Sequence, residues 1–355
     1  MQIVPKIVPK NFFTAYLGSF FAKNQTKYLL KTMNQPDVLP PMLVVLGPTA
    51  SGKTRLAVQL ARCLDGEIVS ADSRQVYRGM DVGTGKDLNE YSFDNQTIKH
   101  HLIDIIEAGE SYNVSRYQQD CNAALLDITN QGKRPILCGG TGFYIEAILK
   151  NHQFTMVPIN ADLRQELAEK TDAELLRMFE QNPSEYTPLA DVSTRKRRIR
   201  AIEINFFLNN PSIQHQKSVD WLPCFPVIIG LDLPVEMRRA RITQRLRQRL
   251  QNGLIEEVEA LLKSGVSAEQ LIFYGLEYKY LTHYLQGYYN YDTLFERLNV
   301  AIHQFAKRQM TFFRKMERDG FAIHWLDAQR PTAELVAEIL DGQLLRSGAL
   351  LTTKI

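Results

Sequence analysis

Between Met42 and about Lys150, short apolar runs alternate with stretches of helical period, the pattern of a parallel α/β sheet. The run Met42-Leu43-Val44-Val45-Leu46 leads into Gly47–Thr54 and then a helix carrying Leu56, Leu60 and Leu64. A short strand over Glu67–Ala71 ends at Asp72, a strand is expected around Lys99–Asp104, and a helix from about Val114 to Thr129. The strand Pro135–Cys138 runs into Gly139-Gly140-Thr141-Gly142, with a helix from Phe143. Residues 151–215 are polar, mostly helical and without a strand of their own, which predicts an insertion. The strand Pro226–Leu233 should return to the sheet, and helices dominate from Val235 to about Arg318. From roughly Pro331 the chain reads as a weak helix and a tail. The expected organisation is an N-terminal extension (1–39), an α/β core with C-terminal helices (40–150 and 216–330), a helical insertion (151–215) and a tail (331–355).

Gly47-Pro48-Thr49-Ala50-Ser51-Gly52-Lys53-Thr54 fits the phosphate-binding loop (P-loop) G-x-x-x-x-G-K-[ST], and so does its setting between strand and helix. Backbone N–H groups at the helix start point at an anion, and the helix dipole favours negative charge there. Lys53 adds a point charge, and the Thr54 hydroxyl can join the shell of a magnesium ion, Mg2+. The loop does not say which phosphorylated molecule it holds. In open α/β sheets ligands lie beyond the carboxyl ends of the strands. Gly47–Thr54, Asp72–Gln75 and Gly139–Gly142 all fall at such ends, so they should face one cleft.

The polar, glycine-spaced segment from Asp72 to Lys86 reads as an active-site loop. Asp72 can be a magnesium ligand or a general base toward a nucleophile held over the phosphate. Its plainer use is a helix N-cap or a turn. A typical P-loop ATPase has a later strand that ends in Asp to organise magnesium; here the comparable strand ends in Gly139-Gly140-Thr141, with no acid. Thr141 offers a hydroxyl in a second anion-friendly turn, or simply closes a tight strand–helix turn.

Composition narrows the class. At 355 residues the chain exceeds the usual single domain, and 45% hydrophobic with 23% charged residues is ordinary for a soluble protein. No apolar run approaches the ~18–20 residues of a membrane span. Cys63, Cys121, Cys138 and Cys224 lie far apart with no C-x-x-C pair, which reads as a reduced, cytosolic protein without a zinc site. Residues 1–36 hold five lysines, no acid, no Arg and one Ser. They read as a disordered tail or an upstream start before Met33 or Met42; organellar targeting is the weaker reading.

A net charge of +3 implies no nucleic acid by itself, but the clustering does. Arg195-Lys196-Arg197-Arg198-Ile199-Arg200 has five cations in six residues, and Glu236–Leu250 has six arginines against one acid. In the latter, Arg238, Arg241, Arg245 and Arg249 share a helix face beside the apolar stripe Ile242, Leu246 and Leu250. A third stretch, Lys307, Arg308, Arg314, Lys315 and Arg318, shares a helix with the core-like series Leu298, Ile302, Phe305, Phe312 and Met316. One charge run is usually a solvated face; three imply one positive surface and favour a polyanion.

In order, GPTASGKT, DSRQVYRGMDVGTGK, GGTGFY, RKRRIRAIE and Gln304-Phe305-Ala306-Lys307-Arg308-Gln309-Met310-Thr311 resemble the hallmarks of the tRNA dimethylallyltransferase (tRNA isopentenyltransferase) family, from about residue 42 to 326. The resemblance implies transfer of a dimethylallyl group from dimethylallyl diphosphate to N6 of the adenosine just 3′ of the anticodon, with magnesium. It implies that Gly47 to Thr54 hold the diphosphate and that Arg245 closes over it. Asp72 matches the family's base, with Lys53 and Thr141 completing the catalytic set. Asp72, Ser73, Arg74, Gln75, Thr141, Arg164, Lys196, Arg197, Arg198, Ile199 and Arg200 match contacts to the tRNA anticodon stem-loop. A cytoplasmic monomer is expected. The departures are Lys196 for Gln, Arg198 for Leu or Ile, Glu277 for Gly, His303 for Arg and Phe312 for Trp. Competing readings are an ATP-dependent small-molecule or nucleoside kinase, prenyl transfer to free adenine nucleotides, and a non-enzymatic RNA-binding protein.

Overall fold

The structure is a computed structural model that describes residues 42–93, 96–151, 153–210 and 226–341. The reading of residues 1–39 lies outside these, as does Cys224. Six strands form one parallel sheet: β1 (Leu43–Leu46), β2 (Gly66–Ser70), β3 (His100–His101), β4 (Arg134–Gly139), β5 (Val227–Asp232) and β6 (Ile323–Asp327). Their order is β3-β2-β4-β1-β5-β6, with Leu46 level with Gly139 on one side and Gly230 on the other.

The first helices in chain order are α1 (Lys53–Leu64), α2 (Val114–Asn130), α3 (Gly142–Leu149), α4 (Ala161–Ala168), α5 (Asp172–Gln181) and α6 (Arg195–Leu208). Then follow α7 (Val235–Gln251), α8 (Leu254–Lys263), α9 (Ala268–Tyr274), α10 (Leu276–Leu285), α11 (Tyr291–Arg318) and α12 (Thr332–Leu340). Alternate residues of β1 feed two cores, as a strand of period two covered on both faces must. Val44 and Leu46 join Tyr117 of α2, Ile145 of α3, Ile242 of α7 and Phe313 of α11. Leu43 and Val45 join Leu56 and Leu60 of α1 and Ile339 of α12. Helices α4–α6 hold a third cluster of their own, Leu167, Leu175, Phe179, Ala201 and Ile202. No helix among the described residues is long and apolar enough to cross a membrane.

Three sequence expectations need correction. The strand around Lys99–Asp104 shrinks to His100–His101, because Leu102 (φ 62°) and Asp104 (φ 56°) turn into the left-handed region and leave the sheet. On α11 the buried stripe runs through Leu298, Ile302, Ala306, Met310, Phe313 and Met316; Phe305 is exposed and Phe312 only half-buried. After Arg318, where no strand was expected, β6 adds an edge strand to β5; the weak helix expected from about Pro331 is present as α12, which buries Leu335, Val336 and Ile339.

Burying each of those side chains stabilises by about 1.5–3 kcal/mol relative to leaving it in water. Ile339→Ala should therefore lower the unfolding free energy by about 2–5 kcal/mol in urea titrations. An unchanged midpoint would mean that α12 is an ornament on the sheet.

Candidate functional site

The segment Gly47–Thr54 turns from β1 into α1 with Ala50 (φ 63°) and Gly52 (φ 88°) in the left-handed region. It lines a cleft of about 1070 Å³ together with Arg241, Arg245 and Arg249 of α7. These three lie one and two turns apart on one helix face, so their guanidinium groups reach the same cavity. Burial holds the Lys53 ammonium below the usual lysine range; Arg245 pushes the same way, while Asp72 opposes it. Arg245 pairs with Asp87 across the cleft. Burial, with Arg245 beside it, brings Arg249 down to about 10, and Glu277 lies 3.9 Å away as its counter-charge. Burial in turn pushes the Glu277 carboxyl up, against the pull of Arg249. Cations gathered at a helix start in this way suit an anion, and the carboxylates facing Arg245 and Arg249 lie in the same region of the cleft.

Beside it, the ends of β2 and β4 are stitched together. Ala71 N–H donates to Cys138 O at 2.8 Å, Thr141 N–H to Ala71 O at 3.1 Å, and Ser73 N–H to Thr141 Oγ1 at 3.1 Å. A Cβ on Gly139 would lie 2.2 Å from Ala71 O, so only glycine permits this approach. Asp72 Oδ1 accepts from Arg74 N–H at 3.0 Å, an Asx-type turn that leaves Oδ2 available. The structure thus brings Gly47–Thr54, Asp72–Gln75 and Thr141 to the ends of β1, β2 and β4, with β4 lying between the other two.

The remaining sequence candidates are elsewhere. Arg164 and Arg200 both bind Glu203, whose side chain is only 1% exposed, in the α4–α6 unit. Burial would raise the Glu203 carboxyl, but hydrogen bonds from Arg164, Arg200 and Asn160 N–H hold it low. Arg195 donates to Ala168 O and Lys170 O at the end of α4, and Arg197 pairs with Asp191 at 2.6 Å. Arg198 is anchored on Val192 O at 3.1 Å and Asp172 at 3.2 Å, and Ile199 packs on the unit's apolar cluster. Only Lys196 of this run is exposed without an ion pair among the described residues. The expected open cationic face is largely neutralised within the unit itself.

Sequence reasoning missed three positioning side chains. Gln309 of α11 accepts from Thr49 N–H at 2.9 Å and donates to Gly140 O at 2.8 Å, clamping the phosphate loop to the second turn. A buried glutamine on an apolar stripe was the available signal. Glu257 accepts from the N–H groups of Asp81, Val82 and Gly83 and from Tyr278 Oη. Lys86, 1% exposed, ties Tyr77 O, Asp81 and Asp104 together. Both fix the loop that begins at Asp72.

Among the described residues no group of three or more His, Cys, Asp or Glu side chains is placed to hold a metal. Thr54 and the carboxylates of Asp87 and Glu90 line the cleft. That oxygen set suits magnesium carried in with a phosphorylated ligand, since Mg2+ keeps its waters and uses only one or two protein oxygens.

Gln309→Ala would strand the partly buried Thr49 N–H and the buried Gly140 carbonyl and should cost about 1–3 kcal/mol of stability. Calorimetric titration with inorganic pyrophosphate should also show weaker binding by the folded variant. Full affinity alongside reduced stability would make Gln309 a packing residue only.

A sequence model of the IPP transferase family matches residues 75–316. The chain is 50% identical over 303 residues to tRNA dimethylallyltransferase 2 of Phocaeicola vulgatus, covering 84% of this chain and 96% of that protein. It is 53% identical over 296 residues to tRNA dimethylallyltransferase 2 of Porphyromonas gingivalis, covering 82% and 96%. The crystal structure of a tRNA isopentenylpyrophosphate transferase from Bacillus halodurans superposes with a TM-score of 0.64 at 29% identity, covering 89% of this chain and 100% of that one. A tRNA isopentenylpyrophosphate transferase from Staphylococcus epidermidis gives 0.57 at 29% identity, covering 85% and 98%.

Proposed function

The chain belongs to the IPP transferase family, the tRNA dimethylallyltransferases, and on that premise we propose how its cleft carries out the reaction. The enzyme transfers a dimethylallyl group from dimethylallyl diphosphate to tRNA and releases diphosphate. One observation carries the assignment of roles: a phosphate loop, a strand-end carboxylate and a strand-end hydroxyl converge at neighbouring strand ends.

Gly47 to Thr54 grip the diphosphate, with Lys53 and Arg245 neutralising the charge that grows on it as it leaves. Thr54 would hold a magnesium ion, which when bound adds to that neutralisation. The acceptor is N6 of the adenosine just 3′ of the anticodon. Its lone pair forms the new bond to C1 of the dimethylallyl group while the C1–O bond to diphosphate breaks. Asp72 takes the proton released from N6, and Thr141 orders the turn that carries Ser73 and Asp72. Displacement at carbon needs no in-line attack on phosphorus, which accounts for β4 ending in Gly139 rather than in an acid.

The anticodon stem-loop is the part of tRNA to be recognised, and Lys196 is the residue of the α6 run best placed to meet a phosphate. The division into a core (40–150 and 216–330) and an inserted unit (151–215) is proposed on the separate apolar cluster of α4–α6. A cytoplasmic monomer completes the reading; Cys63, Cys121 and Cys138, none of them in a disulfide among the described residues, suit a reducing compartment.

Asp72→Asn keeps the shape but cannot accept a proton, so single-turnover prenylation of tRNA should fall by ~10²–10⁴ while tRNA affinity holds. Radiolabelled dimethylallyl diphosphate with unmodified tRNA gives the rate, and undiminished chemistry would reassign Asp72 to the turn. Lys196→Gln should flatten the slope of log tRNA affinity against log salt by about 0.7–0.9. Arg198→Leu should leave that slope alone, because its guanidinium is already committed to Val192 O and Asp172. Equal slopes for both variants and wild type would remove the α6 run from the RNA path.

A further inference from the structure

Against Arg74, on the loop that begins at Asp72, an aromatic side chain lies open to solvent for no reason of packing. Phe273, near the end of α9, is 68% exposed, although its neighbours Leu271 and Tyr274 are fully buried. Its position is fixed from the Asp72 loop. The Arg74 guanidinium lies over the ring at 5.8 Å and donates to Phe273 O at 3.2 Å. Arg74 itself is set by its N–H bond to Asp72. It also lies along Gly275, where a Cβ would meet Arg74 Nε at 3.3 Å and where φ of +139° already favours glycine. Beneath the exposed ring, Tyr274 packs edge-on to Phe273 at 6.3 Å and against Tyr77 at 4.4 Å. Tyr274 Oη holds the N–H of Gly109. The ledge is therefore built on buried rings and is not a loose loop tip.

A lone exposed aromatic needs no explanation. This one is held by Arg74, which lies two residues after Asp72 in the chain and stacks on the ring, while most of the ring stays exposed. Rigid aromatic faces paired with guanidinium groups are how proteins take unstacked bases of single-stranded RNA. We propose that Phe273, backed by Arg74, is the stacking platform for a base flanking the target adenosine in the tRNA loop. This rests on the tRNA reading above and extends it to a residue outside the motifs. Stacking on that base would keep the loop splayed while the target adenosine reaches Asp72.

The test uses the full chain and a stem-loop RNA containing the target adenosine, with two companions in which the nucleotide on its 5′ or 3′ side is abasic. Phe273→Ala should raise the Kd for the intact stem-loop by roughly 5- to 150-fold, the effect of one base–aromatic stack. Phe273→Trp should retain affinity, and the binding of dimethylallyl diphosphate should be unchanged in both. Against one of the abasic RNAs the penalty for Phe273→Ala should vanish, because the partner base is already gone. A wild-type Kd for Phe273→Ala would overturn the platform, as would the same penalty on both abasic RNAs. A wild-type protein that ignores the stem-loop while binding dimethylallyl diphosphate would overturn the tRNA reading, and the platform with it.

Discussion

The carbonyl of Ala71 is the point on which the site turns. It receives Thr141 N–H at 3.1 Å and tolerates only a hydrogen at the Cα of Gly139. That contact draws the ends of β2 and β4 together more closely than side chains would permit. The Asp72 carboxylate then emerges beside the turn that carries Thr141, with β4 between it and the strand that feeds the phosphate loop. Larger residues at 139 would move Asp72 relative to Lys53, and displacements near 1 Å are enough to cost a reaction 10²-fold. Gln309 locks the neighbouring seam, between the ends of β1 and β4, by holding Thr49 and Gly140 in one carboxamide.

The chain uses arginine in two ways. On α6, Arg195, Arg197, Arg198 and Arg200 are spent on carbonyls and on Asp172, Asp191 and Glu203, so they serve the packing of a small unit with a thin apolar core. On α7, Arg241, Arg245 and Arg249 line a cavity, and two of them have carboxylate partners that a stronger anion could displace. The formal charge of +3 is blind to this difference. What matters is whether a partner carboxylate is buried with the cation, as Glu203 is, or shares an open cleft with it, as Asp87 does.

The phosphate loop, the two other strand-end segments and the α7 arginine face were legible because each is local: a motif, a strand end, a helix period. What was hidden is what depends on distant partners. The β6 strand is five residues at the edge of the sheet, with His324 and Asp327 diluting its apolar signal. The weak helix expected from about Pro331 is α12, nine residues and too short to hold itself; what the sequence did not show is that it is held by packing against α1. Charge counting could find the α6 cations but not their acids on α5 and in the loop before α6. Gln309 was within a quoted segment, yet nothing in that segment says that its amide spans two glycine-rich turns.

The Thr49–Gln309 bond joins residues 260 positions apart in the chain. Glu257 reaches back 176 positions to Asp81. The cleft therefore belongs to no early segment of the polypeptide. At about 5–20 residues per second of synthesis, roughly 13–50 s separate the emergence of the phosphate loop from that of the glutamine that sets it. During that interval the glycine-rich turns lack the clamp that joins them, and a chain cut short before α11 holds the motif without it. The last long helix to leave the ribosome is the one that switches the first motif on.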